Sequence, residues 1–202
     1  MTLKKTHKLG LLLSYITVGY NVVEGIVSVA LGLLTGSIAL VGFGFDSFIE
    51  SLSGSVMVWR LSKHGKISEE EEEAVEAKAA NLVGITFFIL AAYILYESVT
   101  AFISPKPVEP SIFGIVLAVL SLLVMPGLAY LKNKTGKAIG SHSLVADSKQ
   151  TLICVMMSVV LLVSLAANYF FGITWLDPIA GLVFVAILVK EGYTAIKYKD
   201  LC

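Results

Sequence analysis

The 202-residue chain has little charge: Asp, Glu, Lys and Arg make up 15% of it, and it holds only 5 prolines, 3 histidines and 2 cysteines. A soluble domain carries about 25% charged residues. With 56% hydrophobic residues and a mean hydropathy of +0.85, this chain reads instead as an integral, multi-pass protein of the cell or inner membrane. Net charge is also lacking, since 15 basic residues balance 15 acidic ones, so no field gathers nucleic acid and a nucleic-acid partner is excluded. Cys154 lies in an apolar run and Cys202 at the end of the chain, which is no disulfide framework. The histidines, His7, His64 and His142, lie in cytoplasmic-side stretches away from the buried carboxylates. With no set of nucleophile, base and orienter visible, the chain is not expected to be an enzyme or to hold a resident cofactor. The basic start, residues 1–8, leads into an apolar run too long for the core of a signal peptide.

What is present is a set of apolar stretches. About 20 apolar residues cross the hydrocarbon as a helix, and six stretches qualify: 9–31, 37–61, 79–103, 111–131, 147–171 and 178–196. The connections are short and carry breakers or charge, as at Thr35-Gly36, Ser104-Pro105-Lys106-Pro107 and the stretch 132–140. The expected fold is an all-α membrane protein, a six-transmembrane-helix bundle in which residues 1–202 form a single domain. Basic residues collect on the cytoplasmic side of a membrane protein. Placing both termini there gathers Lys4, Lys5 and Lys8, then Arg60, Lys63, Lys66 and Lys78, then Lys132, Lys134 and Lys137, then Lys190, Lys197 and Lys199, and leaves Lys106 outside. The acidic run at 69–73, with Glu76, reads as a solvated face at the start of the third helix.

Ionisable groups inside a membrane cost about 2.5–3.5 kcal/mol each at a helix centre, so each calls for a partner or a task. In the second span Asp46 and Glu50 are four residues apart on one helical face. They lie roughly 14–20 Å from its outer end at 1.5 Å per residue, which is the bilayer midplane. Adjacent carboxylates repel unless protons or a cation neutralise them, so the pair is either protonated at rest or a cation site. The fifth span offers Asp147, Gln150 and Cys154 on one stripe, where the cysteine is either a soft ligand or a small apolar filler. Asn21 and Glu24 in the first span are deep enough to act or to hydrogen-bond within the bundle, and Glu97 stands near the outer end of the third. Small residues mark close helix packing: Gly25, Ser28 and Gly32 in span one, Ser47, Ser51, Gly54 and Ser55 in span two, with Gly181 of span six facing them.

The chain also echoes itself. Gly36-Ser37-Ile38-Ala39-Leu40-Val41 leads into span two and Gly140-Ser141-His142-Ser143-Leu144-Val145 into span five, a shared Gly-Ser-x-x-Leu-Val at an offset of 104. That register pairs Asp46 with Gln150 and Glu50 with Cys154. Spans three apart run in opposite directions, as an inverted repeat around a midplane site requires.

On the run Leu34-Thr35-Gly36-Ser37-Ile38-Ala39-Leu40-Val41, the group Asp46-Ser47-Phe48-Ile49-Glu50, Val145-Ala146-Asp147 and Trp175-Leu176-Asp177-Pro178, the chain resembles the membrane domain of the cation diffusion facilitator family. These are proton-coupled exporters of zinc, manganese, iron and similar ions, and the likeness extends to their small vesicular zinc branch. The resemblance implies a six-span divalent-cation transporter whose partners are the metal ion, protons, the lipid bilayer and a second copy in a homodimer. Its site would comprise Asp46, Glu50, Asp147, Gln150 and Cys154, with the ion as cargo. The family's fifth span carries a His and an Asp four apart where this chain has Gln150 and Cys154. Using Ser143 and Asp147 instead fits the internal offset less well. The family's usual cytosolic C-terminal domain is expected to be missing. The alternative function is a non-transporting metal-sensing or accessory membrane subunit. Which metal is moved does not follow from two carboxylates, an amide and a thiol.

Overall fold

The structure, a computed structural model, describes residues 3–63, 68–105 and 107–198. Expectations concerning His64, Lys66, Lys106, Lys199 and Cys202, and the side chains of Lys4, Glu69, Glu72 and Glu76, lie outside the described residues. The described chain forms six helices: α1 Leu3–Thr35, α2 Ile38–Lys63, α3 Glu69–Ile103, α4 Ile112–Ile139, α5 His142–Phe171 and α6 Leu176–Tyr198. The all-α bundle read from the sequence is the fold. Among the described residues five helices are long and apolar enough to cross a membrane, and α2 is the one outside that group. Asp46, Glu50 and Ser47, Ser51, Ser53 and Ser55 dilute its apolar character. The bundle compensates by surrounding it, since α2 packs against α1, α3, α5 and α6. A polar helix tolerates membrane depth when protein rather than lipid covers it.

Serine and glycine set the helix ends. Ser68, Ser111 and Ser141 accept from backbone N–H groups three residues on and so cap α3, α4 and α5. Gly140 and Gly172 close α4 and α5 in the left-handed conformation. Neither Pro126 nor Gly136 ends α4, which runs on to Ile139 through the stretch 132–139 that the sequence assigned to a loop. Lys132 therefore stands two turns inside a helix. It is fully buried at 0% exposure, a correction to its reading as a charge of the cytoplasmic loop.

The two turns related by 104 positions match bond for bond. Gly36 has φ 73° and Gly140 φ 69°. Ser37 N donates to Gly32 O at 3.1 Å, and Ser141 N to Gly136 O at 2.9 Å. Leu40 N donates to Ser37 Oγ at 3.1 Å and Leu144 N to Ser141 Oγ at 3.3 Å. A Cβ on Gly32 would lie 2.7 Å from Val41 N, and one on Gly136 2.9 Å from Val145 N. The packing repeats the relation: α1 with α2 mirrors α4 with α5, while α3 pairs with α6, α1 with α4 and α2 with α5. Exchanging the halves carries these pairs onto one another, as an inverted repeat does. Gly25 and Gly32 make close approaches to α2, as the small-residue stripe implies, whereas Gly181 packs on Ser98 and Ile94 of α3 and on Ile38.

Alanine is favoured over glycine in a helix by about 1 kcal/mol. Gly32→Ala and Gly136→Ala are nevertheless expected to lower the melting temperature in detergent, because each Cβ meets backbone that must move. A rise in either melting temperature would contradict the close approach.

Candidate metal centre

Asp46, Glu50, Asp147, Gln150 and Cys154 are all buried, with exposures of 1–6%. They are distributed along the α2–α5 interface. Asp46 and Glu50 stand on successive turns of α2, and Cys154 of α5 faces Glu50. Glu50 and Cys154 are one of the two pairs that the offset of 104 defines. Ser143, the competing candidate, lies nearer the start of α5 and accepts from Arg60 Nη1. Asp147 is engaged elsewhere: its Oδ2 lies 2.9 Å from the Lys132 ammonium, and both side chains are buried. Among the described residues no three His, Cys, Asp or Glu side chains form a group able to hold a metal ion in this conformation. The five candidates thus share an interface without converging on one point.

A chain of polar contacts joins the two carboxylates. Thr151 Oγ1 donates to Glu50 Oε1 at 2.7 Å and accepts from Lys132 Nζ at 3.0 Å. The run Asp147, Lys132, Thr151, Glu50 therefore crosses α5, α4, α5 and α2. Thr151 is the 104-offset counterpart of Ser47, whose hydroxyl stands 3.1 Å from Glu24 Oε2. In each half the corresponding hydroxyl of the second helix serves a glutamate.

Glu24 and Asn21 bring α1 into the site. Glu24 is 3% exposed and Asn21 0%, and Asn21 stands beside Glu50. Glu24 Oε1, Glu50 Oε2 and both amide atoms of Asn21 make no hydrogen bond among the described residues. Such atoms cost about 1–3 kcal/mol each when buried unpaired. Tyr20 and Ser121 approach Glu24 from α1 and α4. The sequence marked Asn21 and Glu24 as buried polar groups but did not join them to Asp46 and Glu50, and it missed Lys132 and Thr151. The spacing of 104 between Ser47 and Thr151 was the available signal for the last. Glu97 lies apart, lining a cavity of about 270 Å³ with Tyr93, Trp175 and Asp177 at the outer helix ends.

A bundle with carboxylates on a central, protein-covered helix is the architecture of a membrane protein that handles cations in its interior. Residues 14–199 match the cation efflux transmembrane domain, and the chain belongs to that family. It is 30% identical over 153 residues to an uncharacterized transporter of Synechocystis, covering 74% of this chain and 49% of that one. It is 24% identical to the cadmium, cobalt and zinc/H(+)-K(+) antiporter of Bacillus subtilis over 95% of this chain and 61% of the antiporter. Transmembrane protein 163 of Xenopus laevis is 22% identical over 92% of this chain and 66% of its own length. The chain thus spans from about half to about two thirds of these relatives.

Thr151→Val keeps the shape of the side chain and removes the hydroxyl between Lys132 and Glu50. It is expected to destabilise the protein by about 2 kcal/mol, while Thr151→Ser stays near the parent, because buried charged partners lose their bond. Denaturation in mild detergent would show it, and equal stability of the two variants would contradict the link.

Proposed function

We propose that this chain carries a divalent metal cation across the membrane, outward and in exchange for protons, through the centre built on Asp46 and Glu50. One observation carries the reading. Glu24, Asp46, Glu50 and Asp147 are all buried, and Lys132 is the buried cation beside them. One ammonium cannot balance four carboxyl groups, so the surplus is met by protons or by a mobile cation. A group that alternates between the two couples their movement, because metal binding to carboxylates releases protons.

Glu50 supplies the nearest carboxylate, Asp46 the next turn of the same face, and Cys154 a thiol opposite. Gln150 lies on the same stripe of α5, and Asn21 and Glu24 offer further oxygens from α1. Carboxylate, amide and thiol donors accommodate zinc and its neighbours without selecting one of them. Rocking of one half of the bundle against the other would expose the centre to each side in turn and tighten its dispersed donors around the ion. The cadmium, cobalt and zinc named for the Bacillus antiporter agree with this class of cargo.

Purified protein in liposomes loaded with a divalent-metal indicator tests the reading. The parent is expected to carry zinc or manganese, and the double variant Asp46→Asn, Glu50→Gln to fall to the protein-free background while remaining monodisperse. Metal affinity of the parent should weaken as pH falls, since protons compete for the same oxygens. Unchanged flux in the double variant overturns the site. Binding without flux in the parent would favour a sensor or accessory subunit.

A further inference from the structure

Lys132 is an unusual residue to find without any exposure, at the point where α4 passes from an apolar stretch into the polar run 133–137. A buried ammonium costs several kcal/mol unless it is paired with good geometry. Asp147 at 2.9 Å would suffice as its partner. The ammonium is also 3.0 Å from Thr151 Oγ1, which lies 2.7 Å from Glu50 Oε1. Adding those two contacts bounds the separation between Lys132 Nζ and Glu50 Oε1 at 5.7 Å. Depth also matters. Asp147 is about 8 Å from the start of α5, whereas Glu50 is about 20 Å from the inner end of α2, at 1.5 Å per residue. Lys132 therefore links a carboxylate near the inner end of the bundle to one near its middle.

We propose that Lys132 is a tethered counter-cation that sets the affinity of the centre: it shares its charge between Asp147 and Glu50, and a divalent ion at Glu50 binds against it. The inference rests on the reading of Asp46 and Glu50 as a cation site. Asp147 is then the residue that holds the ammonium back from Glu50. A metal ion on Glu50 oxygens, at a bond length of about 2 Å, lies within roughly 8 Å of the ammonium. Across that distance, repulsion between a divalent and a monovalent cation weakens binding by up to about a thousandfold at the effective dielectric of a protein interior, and still by about tenfold where water screens the pair. Lys132 is thus an affinity-setting residue and not a ligand. It compensates Glu50 when the metal is absent and resists the metal when it is bound, which favours release over retention.

Equilibrium binding of zinc and of manganese to the purified full chain in detergent, with melting temperatures measured in parallel, tests the proposal. Lys132→Gln is expected to bind about tenfold more tightly than the parent, Asp147→Asn about tenfold more weakly, and Lys132→Arg close to the parent. A purely structural role would lower melting temperatures and leave the dissociation constants in place. Where the lone Lys132→Gln does not fold, the pair Lys132→Gln, Asp147→Asn removes both buried charges together, and it is expected to bind about tenfold more tightly than Asp147→Asn alone. Dissociation constants that do not move with Lys132 in a parent that binds metal overturn this inference alone. A parent that binds neither ion overturns the cation-site reading and this inference with it.

Discussion

A carboxylate in the interior of a membrane protein must be compensated, and much of this bundle follows from meeting that demand at Glu50. Its helix carries two carboxylates and a run of serines, and four of the other five helices pack against it. A hydroxyl, an ammonium and a second carboxylate then extend from it in one contact chain through Thr151, Lys132 and Asp147. The surrounding hydroxyls place few demands of their own. Ser14, Thr17, Ser51, Ser55 and Ser158 each donate to the carbonyl four residues earlier, satisfying their proton within their own helix. Ser47 and Thr151 have the same local option and are also drawn to glutamates. The polar interior is therefore partly self-contained, and among the described residues its atoms without a hydrogen bond lie at Asn21, Glu24 and Glu50, at Ser53 and Ser98, and at Asp147, which is held by Lys132 instead.

The symmetry of the two halves is exact in backbone at the turns and broken in chemistry at the centre. Gly36 and Gly140 are interchangeable in conformation, as are the capping and turn hydrogen bonds of Ser37 and Ser141, to which Ser37 adds its bond to Asp177. Three to four turns further on, Asp46 and Glu50 occupy the positions that Gln150 and Cys154 hold in the other half, so one half carries the charge and the other carries an amide and a thiol. Close glycine contacts at Gly32 and Gly136 constrain the shape of each hairpin regardless of what its inner face displays. Shape and chemistry are carried by different residues.

The spans were legible because apolar length is a local property of the chain, and Asp46 and Glu50 were legible because their spacing and depth can be counted from the span ends. The turn at Gly140 announced the repeat. Lys132 was not legible: counting lysines near span ends treats each as a loop charge, and only the continuation of α4 to Ile139 together with the approach of Asp147 reveals a buried one. Glu24 was visible as a buried acid, but its place beside α2 depends on the crossing of α1 with α2, which side-chain periodicity does not give. Thr151 was hidden by its ordinariness, since a threonine in a membrane helix is normally content with its own backbone.

At the outer end, Asp177 of α6 accepts from Ser37 Oγ at 2.5 Å and from Ile38 N at 2.7 Å, and it is 1% exposed. The first turn of α2 is thereby pinned to the first turn of α6. This makes the contact a fulcrum. Glu50 lies about 18 Å along the arm from Ile38, so a tilt of α2 by roughly 10° would swing its carboxylate by about 3 Å. That is as long as the bond it would have to break to Thr151, and a small rotation at the outer clasp becomes a full change of partner at the centre.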